Sequence, residues 1–194
     1  MKKYFAEGLG TFLLSFVVIA SLHGTFPVST PLLAGLTLGL MVYVIGSISG
    51  AHINPAVTVG IWSIGKIKTP EAIKYIFAQF IGAGVALYLG RYLGWETTLS
   101  VANTARVIFA EFIGTAFFTL GIAAVVLGKV PTDVHGVVIG GSLLLGLSLA
   151  ALGSNAVLNP AVALGIGSFS WSYVVAPIIG SVAGMNVFRW LVHE

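Results

Sequence analysis

From residue 8 through 65, and again from 134 through 188, the chain contains no Asp, Glu, Lys or Arg. Stretches of that length without a formal charge cannot furnish a water-facing surface, so most soluble folds are excluded at once. Only 8% of the 194 residues are charged and 57% are hydrophobic, against roughly 25% charged in an ordinary soluble domain. At about 20 residues per transmembrane helix, the length holds six spans with short loops and leaves little for a globular domain. One membrane domain over residues 1–194 is therefore expected.

The net charge of +3 is spread too thinly to make a nucleic-acid stripe, and no nucleic-acid partner is expected. Without cysteine there is no disulfide framework and no thiolate chemistry. The spacing of the four histidines offers no metal cluster, so neither metal nor cofactor is expected. Lys2 and Lys3 ahead of an apolar run have the outline of a signal peptide. Glu7 near the start of that run, and the return of the same local sequence in mid-chain, favour a retained first span.

That return is one of three. Ala6-Glu7-Gly8-Leu9-Gly10-Thr11 is echoed by Ala110-Glu111-Phe112-Ile113-Gly114-Thr115, and Asn54-Pro55-Ala56-Val57 by Asn159-Pro160-Ala161-Val162. More weakly, Ala78-Gln79-Phe80-Ile81-Gly82 is echoed by Ala176-Pro177-Ile178-Ile179-Gly180. The chain thus reads as two repeats, about 1–94 and 104–194. Apolar runs and their breakers place spans at 5–23, 32–49, 72–93, 107–127, 136–152 and 173–192. Two apolar pieces, 54–64 and 159–168, are left over and are each about half the length of a span. Short, Gly/Pro-interrupted segments at matching positions of two halves point to a membrane transport site.

Three spans per repeat bring the chain into the second repeat from the opposite side, so equivalent elements are inverted. With both termini cytoplasmic, Lys2, Lys3, Lys66, Lys68, Lys74, Lys129 and Arg189 lie inside and only Arg91 and Arg106 outside, as the positive-inside rule prefers. A multi-pass protein of the plasma membrane is expected, with the lipid bilayer as its surroundings.

Asn followed by Pro is a helix start, because Asn caps orphan N–H groups and Pro has no N–H to lose at the first helical position. Half a bilayer, about 15 Å, takes about ten residues at 1.5 Å each, so helices starting at Asn54 and Asn159 meet head to head near the midplane. Two helix N-termini there repel cations. Each Asn amide is expected to be free to donate to a passing oxygen, which suits water or another small neutral hydroxylated molecule.

The paired Asn-Pro-Ala boxes, the run Ser49-Gly50-Ala51-His52-Ile53-Asn54-Pro55-Ala56-Val57-Thr58 and the Ala-Glu-x-x-Gly-Thr repeats resemble the aquaporin or major intrinsic protein family over essentially the whole chain. The resemblance implies an all-α membrane protein of six transmembrane helices plus two re-entrant half-helices in two inverted repeats. It further implies a homotetramer with one pore per subunit and passive flux of water and small uncharged solutes, with ions and protons excluded and no catalysis.

Most of the family carries an Arg after the second box, within a narrow outer filter; here that position is Val162. The other filter positions carried over are Ala34, Leu147 and Ala156, all apolar. A wider filter with fewer donors follows, and glycerol, urea or neutral arsenite become alternative permeants. Glycerol-conducting relatives usually carry Arg then Asp after the box, whereas this chain has Val162 then Ala163.

Ionisable groups in a span default to a functional reading, but Glu7 and Glu111 are expected to accept hydrogen bonds from the irregular backbone leading into each half-helix. Gln79 is read likewise, and the resemblance puts His52 on the cytoplasmic pore wall. His135, near Asp133, reads as a solvated loop residue, while His23 and His193 sit at helix ends. Gly35/Gly39, Gly46/Gly50, Gly136/Gly140 and Gly180/Gly184 are expected to allow close crossings within one subunit. Trp95, Trp171, Trp190, Tyr4 and Tyr92 read as interfacial anchors, and Trp62 is expected to pack inside. A proton-coupled transporter also uses inverted repeats and broken helices, but it would place an ionisable residue at the midplane, and neither box has one. No H-E-x-x-H motif or assembled serine base points to an enzyme.

Overall fold

The structure is a computed structural model and describes residues 1–95, 97 and 99–192. His193 and the last residue of the second repeat lie outside the described residues. The described residues form α1 (Lys2–His23), α2 (Thr30–Ser49), α3 (Pro55–Ser63), α4 (Thr69–Tyr92), α5 (Ala105–Val126), α6 (His135–Ala150), α7 (Pro160–Gly165) and α8 (Trp171–Val192), with no strand among them. A 3-10 turn at Thr132–Val134 leads into α6. Six helices are long and apolar enough to cross a membrane, and α3 and α7 are the two short pieces.

Local chemistry sets the ends. α4 starts at Thr69, earlier than the apolar run, because Pro70 lies in its first turn, where a missing N–H costs nothing. α7 stops at Gly165, ahead of the expected boundary, and Gly167 follows in a left-handed conformation at φ +75°. Asn54 and Asn159 cap α3 and α7, each side-chain oxygen accepting from the second and third residues beyond it: Ala56 and Val57, or Ala161 and Val162.

The packing repeats itself. α1 lies against α2 and α4 as α5 lies against α6 and α8, and each short helix packs on the last helix of the other half, α3 on α8 and α7 on α4. α2 and α6 close the two halves against one another. They cross at glycines: a Cβ on Gly35 or Gly39 would stand 2.7 Å from the backbone oxygen of Gly140 or Gly136. Gly180 and Gly184 admit the α5 backbone at Phe112 and Ala116 in the same way. Gly46 departs from the expectation, since it meets only Val42 of its own helix, and Gly50 instead ends α2 at φ +87°. Around the bundle, Leu36, Leu40, Phe77, Ile81, Phe109 and Val137 are exposed, an apolar girdle suited to lipid.

Trp62 is 47% exposed, contrary to the inward packing expected of it, and its indole N–H donates to Thr69 Oγ1 at 3.0 Å. Trp171, Trp190 and Tyr92 are exposed near helix ends. Trp95 instead stacks on Phe16 and His23, and Tyr4 sets its ring against Tyr75.

Candidate functional site

Each capping asparagine has an amide left after its oxygen is used, and the structure commits one proton of each. Asn54 Nδ2 donates to the Leu158 carbonyl at 2.9 Å, and Asn159 Nδ2 donates to the Ile53 carbonyl at 3.0 Å. The amides are therefore half free rather than free, and the crossed pair ties the starts of α3 and α7 together. One N–H on each remains for another acceptor.

The segments entering α3 and α7 are strained alike. Ala51 and Ile53 have φ of +50° and +38°, and Ala156 and Leu158 have +53° and +55°, a region that non-glycine residues occupy only when their surroundings impose it. The glutamates supply those surroundings. Glu7, fully buried, accepts at Oε1 from Ser49 Oγ (2.7 Å) and His52 N (2.9 Å), and at Oε2 from Ile53 N (2.7 Å) and Gln79 Nε2 (2.8 Å). Glu111, equally buried, accepts at Oε1 from Ser154 Oγ (2.6 Å) and Val157 N (3.0 Å), and at Oε2 from Leu158 N (2.8 Å). Thr11 and Thr115 donate to the backbone oxygens of Glu7 and Glu111 in turn.

The halves then diverge. Gln79 Nε2 also donates to Thr58 Oγ1 at 2.9 Å, and Thr58 Oγ1 donates to the Asn54 carbonyl at 3.0 Å. Its only proton being used, that hydroxyl can only accept from His52 Nδ1 at 3.2 Å, so Nδ1 carries the ring proton. The His52 ring also lies edge-on to Tyr75 at 5.0 Å, and Tyr75 is held by its own bond to the Ser49 carbonyl. His52 Nε2 is left as an acceptor, with no partner among the described residues. In the second half Val157, Ala163 and Pro177 occupy the positions of His52, Thr58 and Gln79, and the polar chain has no counterpart.

Two cavities meet at this site. One, about 230 Å³, opens away from the lysine-rich end and is bordered by Ala34, Leu147, Ala156 and Val162 together with Asn54, Asn159 and His52. The four carried-over filter positions thus share one space, and among the described residues its walls hold no Asp, Glu, Lys or Arg. The other, about 710 Å³, opens at the end carrying Lys66 and Glu71 and is also bordered by His52 and His135. Glu71 pairs with Lys3 beside that mouth. His135 is therefore no loop residue: it begins α6, half-buried, with Nε2 3.2 Å from the Val130 carbonyl.

Glu7, Glu111 and Gln79 border neither cavity and stand behind the loops; Pro55, Ala56, Pro160 and Ala161 shape the helix starts and border neither cavity as well. Sequence reasoning missed Ser49, Ser154, Thr58, Tyr75 and Phe118. Ser49 and Ser154 had a signal, standing at equal distances before Asn54 and Asn159. Among the described residues no three His, Asp or Glu side chains gather to hold a metal ion.

A family model described as major intrinsic protein matches residues 1–188. An aquaporin Z of Photorhabdus laumondii is 32% identical over 231 residues, covering 100% of this chain and 99% of the relative. A probable glycerol uptake facilitator protein of Thermotoga maritima is 30% identical over 234 residues, covering 98% of this chain and 100% of the relative. The X-ray structure of the aquaglyceroporin from Plasmodium falciparum matches with a TM-score of 0.68 at 28% identity, covering 98% of this chain and 94% of that one.

Proposed function

Because the chain belongs to the major intrinsic protein family, whose members are membrane channels and not enzymes, we propose that water and small uncharged solutes pass down their gradients through the two joined cavities. The observation that carries this reading is the pair of helix starts meeting in a mostly apolar space, each offering one asparagine N–H. Positive helix ends disfavour cations there, while a neutral molecule with an acceptor oxygen is received. Asn54 and Asn159 are the midplane donors in this account, His52 lines the cytoplasmic side, and Glu7, Glu111 and Gln79 hold the loops in shape.

The outer filter is assigned to Ala34, Leu147, Ala156 and Val162. With no cation and no aromatic ring among them, a second reading gains weight: flux of glycerol, urea or a neutral metalloid such as arsenite alongside or above water. The lysine-rich end is assigned to the cytoplasm of a plasma-membrane protein on the positive-inside rule, and a homotetramer with one passage per chain on the family resemblance. Stopped-flow swelling of liposomes with water, glycerol, urea and arsenite ranks the permeants. Val162→Arg, by returning bulk and charge to the filter, is expected to lower permeability to the larger solutes more than to water. An unchanged solute ranking would remove Val162 from the filter.

A further inference from the structure

The two cavities have separate linings except where Leu38, His52 and Phe118 border both. These three side chains are the collar at which the two cavities adjoin. All three are buried.

The internal repeat supplies a measure of how tight that collar is. The register of Glu7 with Glu111 matches Phe118 to Leu14, and the register of Ser49 with Ser154 matches His52 to Val157. Followed back along α2 and α6 without a gap, it matches Leu38 to Leu143. That register is physical, since the matched residues Gly35 and Gly140 face one another where α2 crosses α6. Leu14, Val157 and Leu143 all border the smaller cavity and do not border the larger one. They make an outer collar on equivalent backbone positions, so the two differ by side chains alone: Leu, Val and Leu outside, Leu, His and Phe inside.

Both substitutions toward the cytoplasmic side replace an aliphatic chain with a ring. The His52 ring cannot swing away, being fixed by Thr58 at Nδ1 and by the edge of Tyr75. It presents Nε2, an acceptor, to whatever passes.

We infer that the size limit of this channel is set at the inner collar of Leu38, His52 and Phe118, and not at the apolar outer filter. Of the aromatic rings that border the outer cavity, both are here, Phe118 and His52. A solute that clears the collar must be slender and must offer a hydrogen to His52 Nε2, which selects hydroxylated or amide-bearing neutral molecules by a contact separate from the asparagine donors. The inference rests on the channel reading above.

The test is a ladder of straight-chain polyols, from glycerol through erythritol to xylitol, in swelling assays on liposomes carrying the full chain. Phe118→Leu restores the residue of the outer collar, and the permeability of the first excluded polyol relative to water is expected to rise about tenfold, the scale of a small volume change in a close-fitting apolar site. Leu14→Phe builds a second collar and is expected to shorten the ladder by a rung. Leu147→Ala, in the outer filter, speeds solutes that already pass without lengthening the ladder. Should Leu147→Ala admit longer polyols while Phe118→Leu does not, the limit lies at the filter and the inference is overturned with the channel reading intact. Wild-type liposomes swelling no faster than empty ones would overturn the channel reading itself.

Discussion

A buried carboxylate earns its place through what it accepts. Glu7 takes hydrogen bonds from two backbone amides, a serine and Gln79, and Glu111 from two amides and a serine. Replacing either by Gln turns one acceptor oxygen into an NH2, and whichever oxygen is replaced the NH2 faces a backbone N–H: His52 or Ile53 in one case, Val157 or Leu158 in the other. Each such orphaned donor costs about 1–3 kcal/mol, so Glu7→Gln and Glu111→Gln are both expected to lower the thermal unfolding temperature in detergent. An unshifted transition in both would show that the loops do not depend on the carboxylates. The glutamates were legible in the sequence because a charge in an apolar repeat is conspicuous. That they accept from the backbone entering each half-helix was legible too, but not which amides they take, because a backbone amide carries no sequence signature; nor were the crossed bonds of Asn54 and Asn159, which join residues more than half the chain apart.

Among elements, the spans were legible to within a few residues, since hydropathy marks what lipid must cover. It did not mark polar first turns, such as Thr69 to Glu71 ahead of α4. Nor did it assign faces: α3 is apolar but for Thr58 and Ser63 and shows no polar face, so nothing in its sequence said that Trp62 points outward. Glycine spacing told where helices are able to approach, but not which glycines are used. The structure separates them on α6, where a Cβ on Gly140 would run into the Gly35 carbonyl and one on Gly141 meets nothing within 4 Å. Gly140→Leu is therefore expected to destabilise the bundle by about 1–3 kcal/mol, the range for overpacking, whereas Gly141→Ala leaves the unfolding temperature in place. Equal effects of the two would mean that the α2 and α6 crossing is looser than described.

For the molecule as a whole, the sequence disclosed the two-fold plan and the structure disclosed its breach. Glu, Ser and Asn repeat in both halves, but the chain from Gln79 through Thr58 to His52 exists only in the first. Among the described residues, the smaller cavity, where the two helix starts meet, is bordered by no carboxylate and no lysine or arginine, and His52 is the titratable side chain on its wall. A relay of protons through it lacks a second stepping group beside His52, and a coupled carrier lacks a carboxylate there to load one. Liposomes holding the protein are accordingly expected to leak protons no faster than empty ones under a pH gradient, and solute entry is expected to be indifferent to that gradient. Solute flux accelerated by the gradient would point to a carrier.

The crossed asparagine bonds also bear on how such a molecule comes into being. Each half ends its own irregular loop with a carbonyl that, among the described residues, only the other half's asparagine side chain reaches. A lone half would therefore be an unfinished object, its loop held by its own glutamate but its last carbonyl unpaired, and newly synthesised chain is expected to stay in that condition until the second box has been threaded into the bilayer.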